Sequence, residues 1–344
     1  HLEPRLNLGL GRELSSRWGL GYNTASGDWD WQIAGSWRVL GSSRIPGRTG
    51  LHLLANARQF TDIQGDHDVY GRLIPSLLPL QGRREYWNYF RNRTLEAGLM
   101  LTPPFPPLRF KALVSHQRQR SVEYSDEYHL VGSRSSSLNR PIPEGDLNAL
   151  NFELTGFERL HAPHPLVPEF KLQAEYTDRS RLNSDFSYQR YSGRLIWQLN
   201  TFYSRYLQPN YLRIMLVGGT GRGDLPPQRY GSLDGNLLTY APFGVFHTRL
   251  NHPYQGNRWM AVYAKHNFRA IPFQWMGLDW AARRNWQLII HAAAGRAWIH
   301  GAPRPQFHQE IGFSLVNIIP WVQLDLSRRL DQSGWVFSFS LHFN

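Results

Sequence analysis

TDIQGDHDVYG, residues 61–71, brings Asp62, Asp66 and Asp68 together in the manner of a calcium-binding loop. It lacks the register of such a loop and its terminal Glu, so a solvated surface loop accounts for it better. RLHAPHPL, residues 159–166, sets His161 and His164 in a proline-rich turn, and two histidines alone make a weak metal site. VGGTGRGD, residues 217–224, has the glycines of a phosphate cradle but no following Lys-Ser/Thr and no helix; it reads as a turn leading out of a strand. For hydrolysis, Ser136, Ser187 or Ser232 would need one of 14 histidines as base, and no Gly-x-Ser-x-Gly elbow is present. His291 and Ser314 are the pair that neighbouring strands could bring to the lipid face, as in an outer-membrane phospholipase, but their spacing adds no support. The expectation is a protein without catalytic residues, cofactor or metal.

The elements that would position any site are strands. In DWDWQIAGSWRVL, Trp29, Trp31, Ile33, Trp37 and Val39 share one face against Asp30, Gln32, Ala34, Ser36 and Arg38. The same period of two recurs in residues 51–58, 91–101, 108–119, 147–157, 169–178, 286–294 and 322–327. Residues 28–40, 85–102, 185–203 and 308–330 read as long strands, reaching the roughly 9–11 residues that cross a bilayer at a tilt. Between strands lie Pro/Gly/Asp/Asn-rich stretches at 61–84, 121–146, 178–186, 219–237 and 251–257, alternating with short links such as LDQSG. The best helical candidate, 272–284, reads equally as an interfacial turn segment.

Composition narrows the class. Mean hydropathy is −0.47, and no window approaches the roughly 18 apolar residues of a spanning helix. A barrel is compatible with that value, because alternating strands average near neutral. Aromatics make up 14%, with 13 Trp and 16 Tyr, a weight typical of interfacial girdles. The net charge of +12 is almost all arginine, since lysine stands only at Lys111, Lys171 and Lys265. These charges are scattered rather than clustered, which argues against nucleic acid and for a polar lumen or anionic lipid headgroups. Cysteine is absent, so disulfides and thiolate sites are excluded. HLEPRLNLGLG lacks the n- and h-regions of a signal peptide, which reads as a mature product or one part of a longer polypeptide.

Residues 224–344 resemble the BamA-like superfamily of outer-membrane assembly and translocation barrels (the bacterial surface antigen family), including barrels linked to a carboxypeptidase-regulatory-like domain. DLPPQRYGSLDGNLLTYAPFG, residues 224–244, is similar to that family's lid loop: Leu225-Pro226 and Tyr230 fit, and Leu233-Asp234-Gly235 stands at Leu-Gly-Gly. Leu238 and Thr239 stand where the family has Arg-Gly, and Ala292 or Ala293 where it has the aspartate of Phe-Asp-Ala-Gly. NRWMAVYAKHNFRAIPFQ resembles the following strand, and FHQEIGFSLVNIIPWVQLDLSRRL the penultimate one. WVFSFSLHFN matches the closing strand, with Trp335, Phe337, Phe339, Leu341 and Phe343 as the signal read by the barrel-assembly machinery.

The reading is therefore all-β: a transmembrane antiparallel β-barrel of 16 strands (14 by direct count), with long extracellular loops and short periplasmic turns. Residues 1–344 form a single domain, with the lid loop at about 219–240, including Leu233, Asp234, Gly235, Leu238 and Tyr240. Leu237, Leu238 and Tyr240 are expected to pack inward by apolar contact, and Lys265, Glu310, Gln323 and Asp325 to face the lumen. The resemblance implies a non-catalytic role in envelope biogenesis, as insertase, translocase or scaffold, with a passive anion-favouring pore as the alternative. Implied partners are outer-membrane lipid and lipopolysaccharide, the barrel-assembly machinery during folding, and other subunits of an outer-membrane complex.

Overall fold

The computed structural model describes residues 5–9, 14–23, 27–41, 49–67, 69–70, 87–122, 139–157, 167–201 and 209–341. Fifteen of their strands form one sheet whose order is the order of the chain. The count falls between the two expected from the sequence. Contacts divide the molecule into two compact units: residues 1–158, 171–192 and 220–230, and residues 159–170, 193–219 and 231–344. Among the described residues no helix is long and apolar enough to cross a membrane.

In the first unit β1 (Arg5–Gly9), β2 (Leu14–Asn23), β3 (Asp28–Leu40), β4 (Gly50–Ile63), β5 (Tyr89–Thr102), β6 (Leu108–Ser121) and β7 (Gly145–Gly156) pair antiparallel in succession. Register carries the two-faced pattern from strand to strand. Trp37, Leu53, Leu99, Ala112 and Phe152 align in one row, and its four large members are exposed. The row Ala34, Asn56, Glu96, Ser115, Ala149 lies on the other face, the first three half-buried and the last two buried. Asn56 donates to Glu96 at 3.0 Å there, and Asn151 to Ser115 at 2.8 Å. This is the reverse of a soluble sheet, where the apolar face is the buried one.

Strands β8 (Glu169–Thr177), β9 (Tyr188–Asn200) and β10 (Tyr211–Gly223) contribute residues to both units. A short helix α1 (Arg179–Leu182) follows Asp178, whose carboxylate caps it through the Ser180 and Arg181 amides.

The second unit holds the small strands β11 (Gly231–Leu233), β12 (Gly235–Asn236), β13 (Phe246–Leu250) and β14 (Tyr254–Gly256). Its wall is β15 (Arg258–Arg269), β16 (Gln287–Trp298), β17 (His308–Val316), β18 (Val322–Arg329) and β19 (Val336–Leu341), antiparallel in succession. The same inversion appears: Ile290, Phe313, Leu326 and Phe337 form an outer row, while Ile289, Ser314, Asp325 and Ser338 form an inner one. Ser314, Asp325 and Ser338 are 0–1% exposed; Phe337 is 54% exposed.

Three expected elements differ. Residues 308–330 are a hairpin, not one strand, because Asn317 and Trp321 take positive φ on either side of Pro320, which has no amide to donate. The glycine-rich 217–223 is the end of β10 rather than a turn, so the lid begins at Asp224. Leu225 folds back over Gly221, its Cδ2 lying 2.4 Å from where a Cβ would stand. Residues 272–284 form two single-turn helices, α2 (Ile271–Trp275) and α3 (Asp279–Arg283), separated at Gly277 with φ 72°.

Candidate functional site: the lid segment and the buried polar face

Residues 224–240, the segment read as a lid, pack against buried side chains of the unit they lie in. In the first unit, Leu225 packs against Leu147, Ala149, Phe186 and Tyr188. Gln228 donates to Gln119 at 2.9 Å and to the Pro143 carbonyl at 3.0 Å. Arg229 donates to Gln117 at 2.6 Å and lies 3.2 Å from Glu175. Burial works against the Arg229 charge, but the Glu175 carboxylate outweighs it and holds the guanidinium ionised. The lid backbone is also tied down, with Gly65 and Asp66 donating to the Gln228 and Tyr230 carbonyls.

In the second unit β11 pairs with β14, and β12 pairs in parallel with β13. Leu233 and Phe246 join Trp259, Tyr263 and Ala293 in an apolar cluster. Gly235 is required by this approach: a Cβ there would meet the Arg249 carbonyl at 2.2 Å. Asp234 is buried, accepts from the Ser232 hydroxyl at 3.3 Å, and gives its carbonyl to the Phe246 amide. The tip is a turn from Leu237 to Tyr240 in which Leu238 and Thr239 have φ of 57° and 102°. Leu237 is buried, Leu238 and Tyr240 half-buried, and Thr239 exposed. Burial also pushes the Tyr240 phenol above the ordinary tyrosine value.

Beyond the turn the chain forms a parallel bridge to the last strand. Phe339 donates to the Thr239 carbonyl at 2.6 Å, Ala241 donates to the Phe339 carbonyl at 2.8 Å, and the Tyr240 and Phe339 rings meet edge-on at 5.8 Å. The lid tip thus satisfies backbone groups on the edge of β19 opposite β18. On β19 itself Phe337 and Leu341 are exposed and Phe339 is half-covered by Tyr240; Trp335 precedes the strand, exposed, and Phe343 lies outside the described residues.

The four polar residues read as lumen-facing share the covered face of β15–β18. Lys265 rests over the Phe243 ring at 5.0 Å. Glu310 is buried and anchors the start of β13: it accepts from the amides of His247 and Thr248 at 2.8 and 2.9 Å, from the Thr248 hydroxyl at 2.6 Å, and faces His308 Nε2 at 3.0 Å. Gln323 donates to Asp325 Oδ1 at 2.6 Å. His247, Thr248 and His308 escaped the sequence reading; the alternation in HQEIG is the signal that puts His308 on the face of Glu310, whereas FHTRL carries no such pattern for His247 and Thr248.

The nominated hydrolytic pair does not stand at the outer face. His291 stands opposite Gly312 and Ser314 opposite Ile289, and both side chains lie on the buried face rather than the outer one. Asp66 is paired with Arg190 and Asp62 accepts from Asn92 at 2.9 Å, so neither is poised for calcium. Burial raises Asp66, but Arg190 more than offsets it and holds the carboxyl below its ordinary range. Asp68, Ser136, His161 and His164 lie outside the described residues.

No family model matches the chain, and no curated protein matches it. Among solved structures, the crystal structure of BamA from Haemophilus ducreyi lacking POTRA domains 1–3 overlaps at TM-score 0.54 with 11% identity, over 95% of this chain and 64% of that one. This chain therefore spans under two thirds of that structure's length. CdiB from Acinetobacter baumannii overlaps at TM-score 0.44 with 13% identity, over 95% of this chain and 52% of that one, a likeness too loose to carry an argument. The first likeness is one of fold: the chain has a BamA-like, all-β architecture.

Proposed function

We propose that residues 1–344 are a single outer-membrane β-barrel domain, closed along β19, with a lumen occupied by the lid. Its role is non-catalytic, in envelope biogenesis: protein insertion or translocation, or a scaffold subunit of an outer-membrane complex. The carrying observation is the inversion of burial, with Trp, Leu and Phe rows exposed and Asp, Glu, Gln and Ser rows covered. That arrangement suits hydrocarbon outside and polar groups inside. Sixteen strands would give the even number usual in bacterial barrels. Its partners are then lipid and lipopolysaccharide on the outer rows, and the barrel-assembly machinery at Trp335–Phe343 during folding.

Among the two transport roles and the scaffold, the bonds that hold the lid in each unit favour a closed resting state, and hence the scaffold. The arginine content supports one competitor, a passive anion-favouring pore. Against it, two inner cations are already paired: Lys111 with Glu153 at 2.6 Å, and Arg229 with Glu175. Single-channel recording in planar bilayers separates the two. Closed traces or rare openings are expected; large, steady, anion-selective currents would replace this reading with the pore.

A further inference from the structure

Three buried groups that no role above absorbs converge behind the lid. A ring nitrogen of His247 on β13, one of His291 on β16 and a carboxylate oxygen of Asp325 on β18 all lie within 4.8 Å of one another. We propose that His247, His291 and Asp325 bind a divalent transition-metal ion of the zinc type, stapling the descending limb of the lid to the wall strands.

Two further observations point to a ligand. His291 Nε2 and Asp325 Oδ2 are both buried without a hydrogen-bond partner, an arrangement that costs free energy unless something is bound there. A cavity of about 20 Å³ opens beside His247 and His291, room for about one water or ion. The remaining atoms are oriented as metal sites orient theirs. His247 Nδ1 lies 3.3 Å from the Ser338 hydroxyl, an acceptor for Nδ1–H in the tautomer whose Nε2 presents its lone pair to the ion, and Asp325 Oδ1 is held by Gln323. Gly312 opposite His291 keeps the ring's space open, since a Cβ there would sit 2.5 Å from Nε2.

Two imidazoles and one carboxylate suit zinc or its first-row neighbours better than calcium or magnesium, which prefer oxygen-only shells. Bonds of about 2.0–2.2 Å in a tetrahedral shell put the donors about 3.3–3.6 Å apart, so donors separated by up to 4.8 Å would close by up to about 1.5 Å, and a three-residue site leaves a fourth position for water. Charge permits it: Asp325 is the negative ligand, Glu310 lies on the same cavity, and the Lys265 ammonium there is directed over Phe243.

The test uses the whole chain, folded in detergent and stripped with a chelator, titrated with Zn²⁺ by calorimetry and with Co²⁺ by visible absorption. One ion per chain and the intense bands of low-coordinate Co²⁺ are expected. Affinity should fall at least tenfold in Asp325→Asn and in His291→Ala, and be unchanged in His116→Ala, an exposed histidine on β6. No saturable binding, or equal affinity in all three variants, overturns the site. Should a variant fail to fold, the unsubstituted protein decides: a weak, six-coordinate Co²⁺ spectrum also overturns it.

Discussion

Thr239 occupies a conformation that glycine tolerates and a β-branched residue resists. Its φ of 102° lies outside the regions open to L-residues with a branched Cβ, and its neighbour Leu238 is also left-handed. The resemblance had marked these two positions as departures from an Arg-Gly pair; the backbone explains why a glycine would be at ease in the second. Such strain is of order 1–3 kcal/mol and persists only where the surroundings over-determine it, here through the Phe339 amide bonded to the Thr239 carbonyl. Thr239→Gly is expected to stabilise the folded protein by about 1 kcal/mol, read as a higher denaturation midpoint in detergent. A lower midpoint would show that the threonine side chain contributes more than its backbone costs.

Among the elements, the strand edge of β19 is the informative one. Among the described strands none follows it in the sheet order, yet Thr239 and Ala241 bond to it. Ala241→Pro removes the amide that donates to the Phe339 carbonyl, with a loss of about 1 kcal/mol. Amide exchange at Phe339 should quicken; an unchanged rate would mean the bridge holds nothing in place. The alternating rows yield a different expectation. Leu99 is 46% exposed in the middle of β5, within the row that runs from Trp37 to Phe152. In a bilayer Leu99→Arg should cost about 2–4 kcal/mol at the midplane, measured by urea titration in lipid vesicles. On a water-facing sheet the same change would stay within about 0.5 kcal/mol, and that result would remove the hydrocarbon from the account.

At the scale of the molecule, covered polar rows and exposed apolar rows predict solubility only in amphiphile. The protein should be monodisperse in detergent and aggregate when detergent is withdrawn; a monomer stable in plain buffer would defeat the membrane reading. The two-faced strands were legible in the sequence, because a period of two is a local property that pairing merely copies from strand to strand, as in the row from Ile290 to Phe337. The end of β10 was not: glycine at 217–223 reads as a turn, yet the strand continues to Gly223. What only the tertiary structure decided is which distant residues meet. His247, His291 and Asp325 lie far apart in the chain and carry no shared spacing. The bridge from Tyr240 to Phe339 has none either. Local sequence encodes which face a residue takes, whereas convergence depends on the register of whole strands and on the path of a loop, which long-range packing settles.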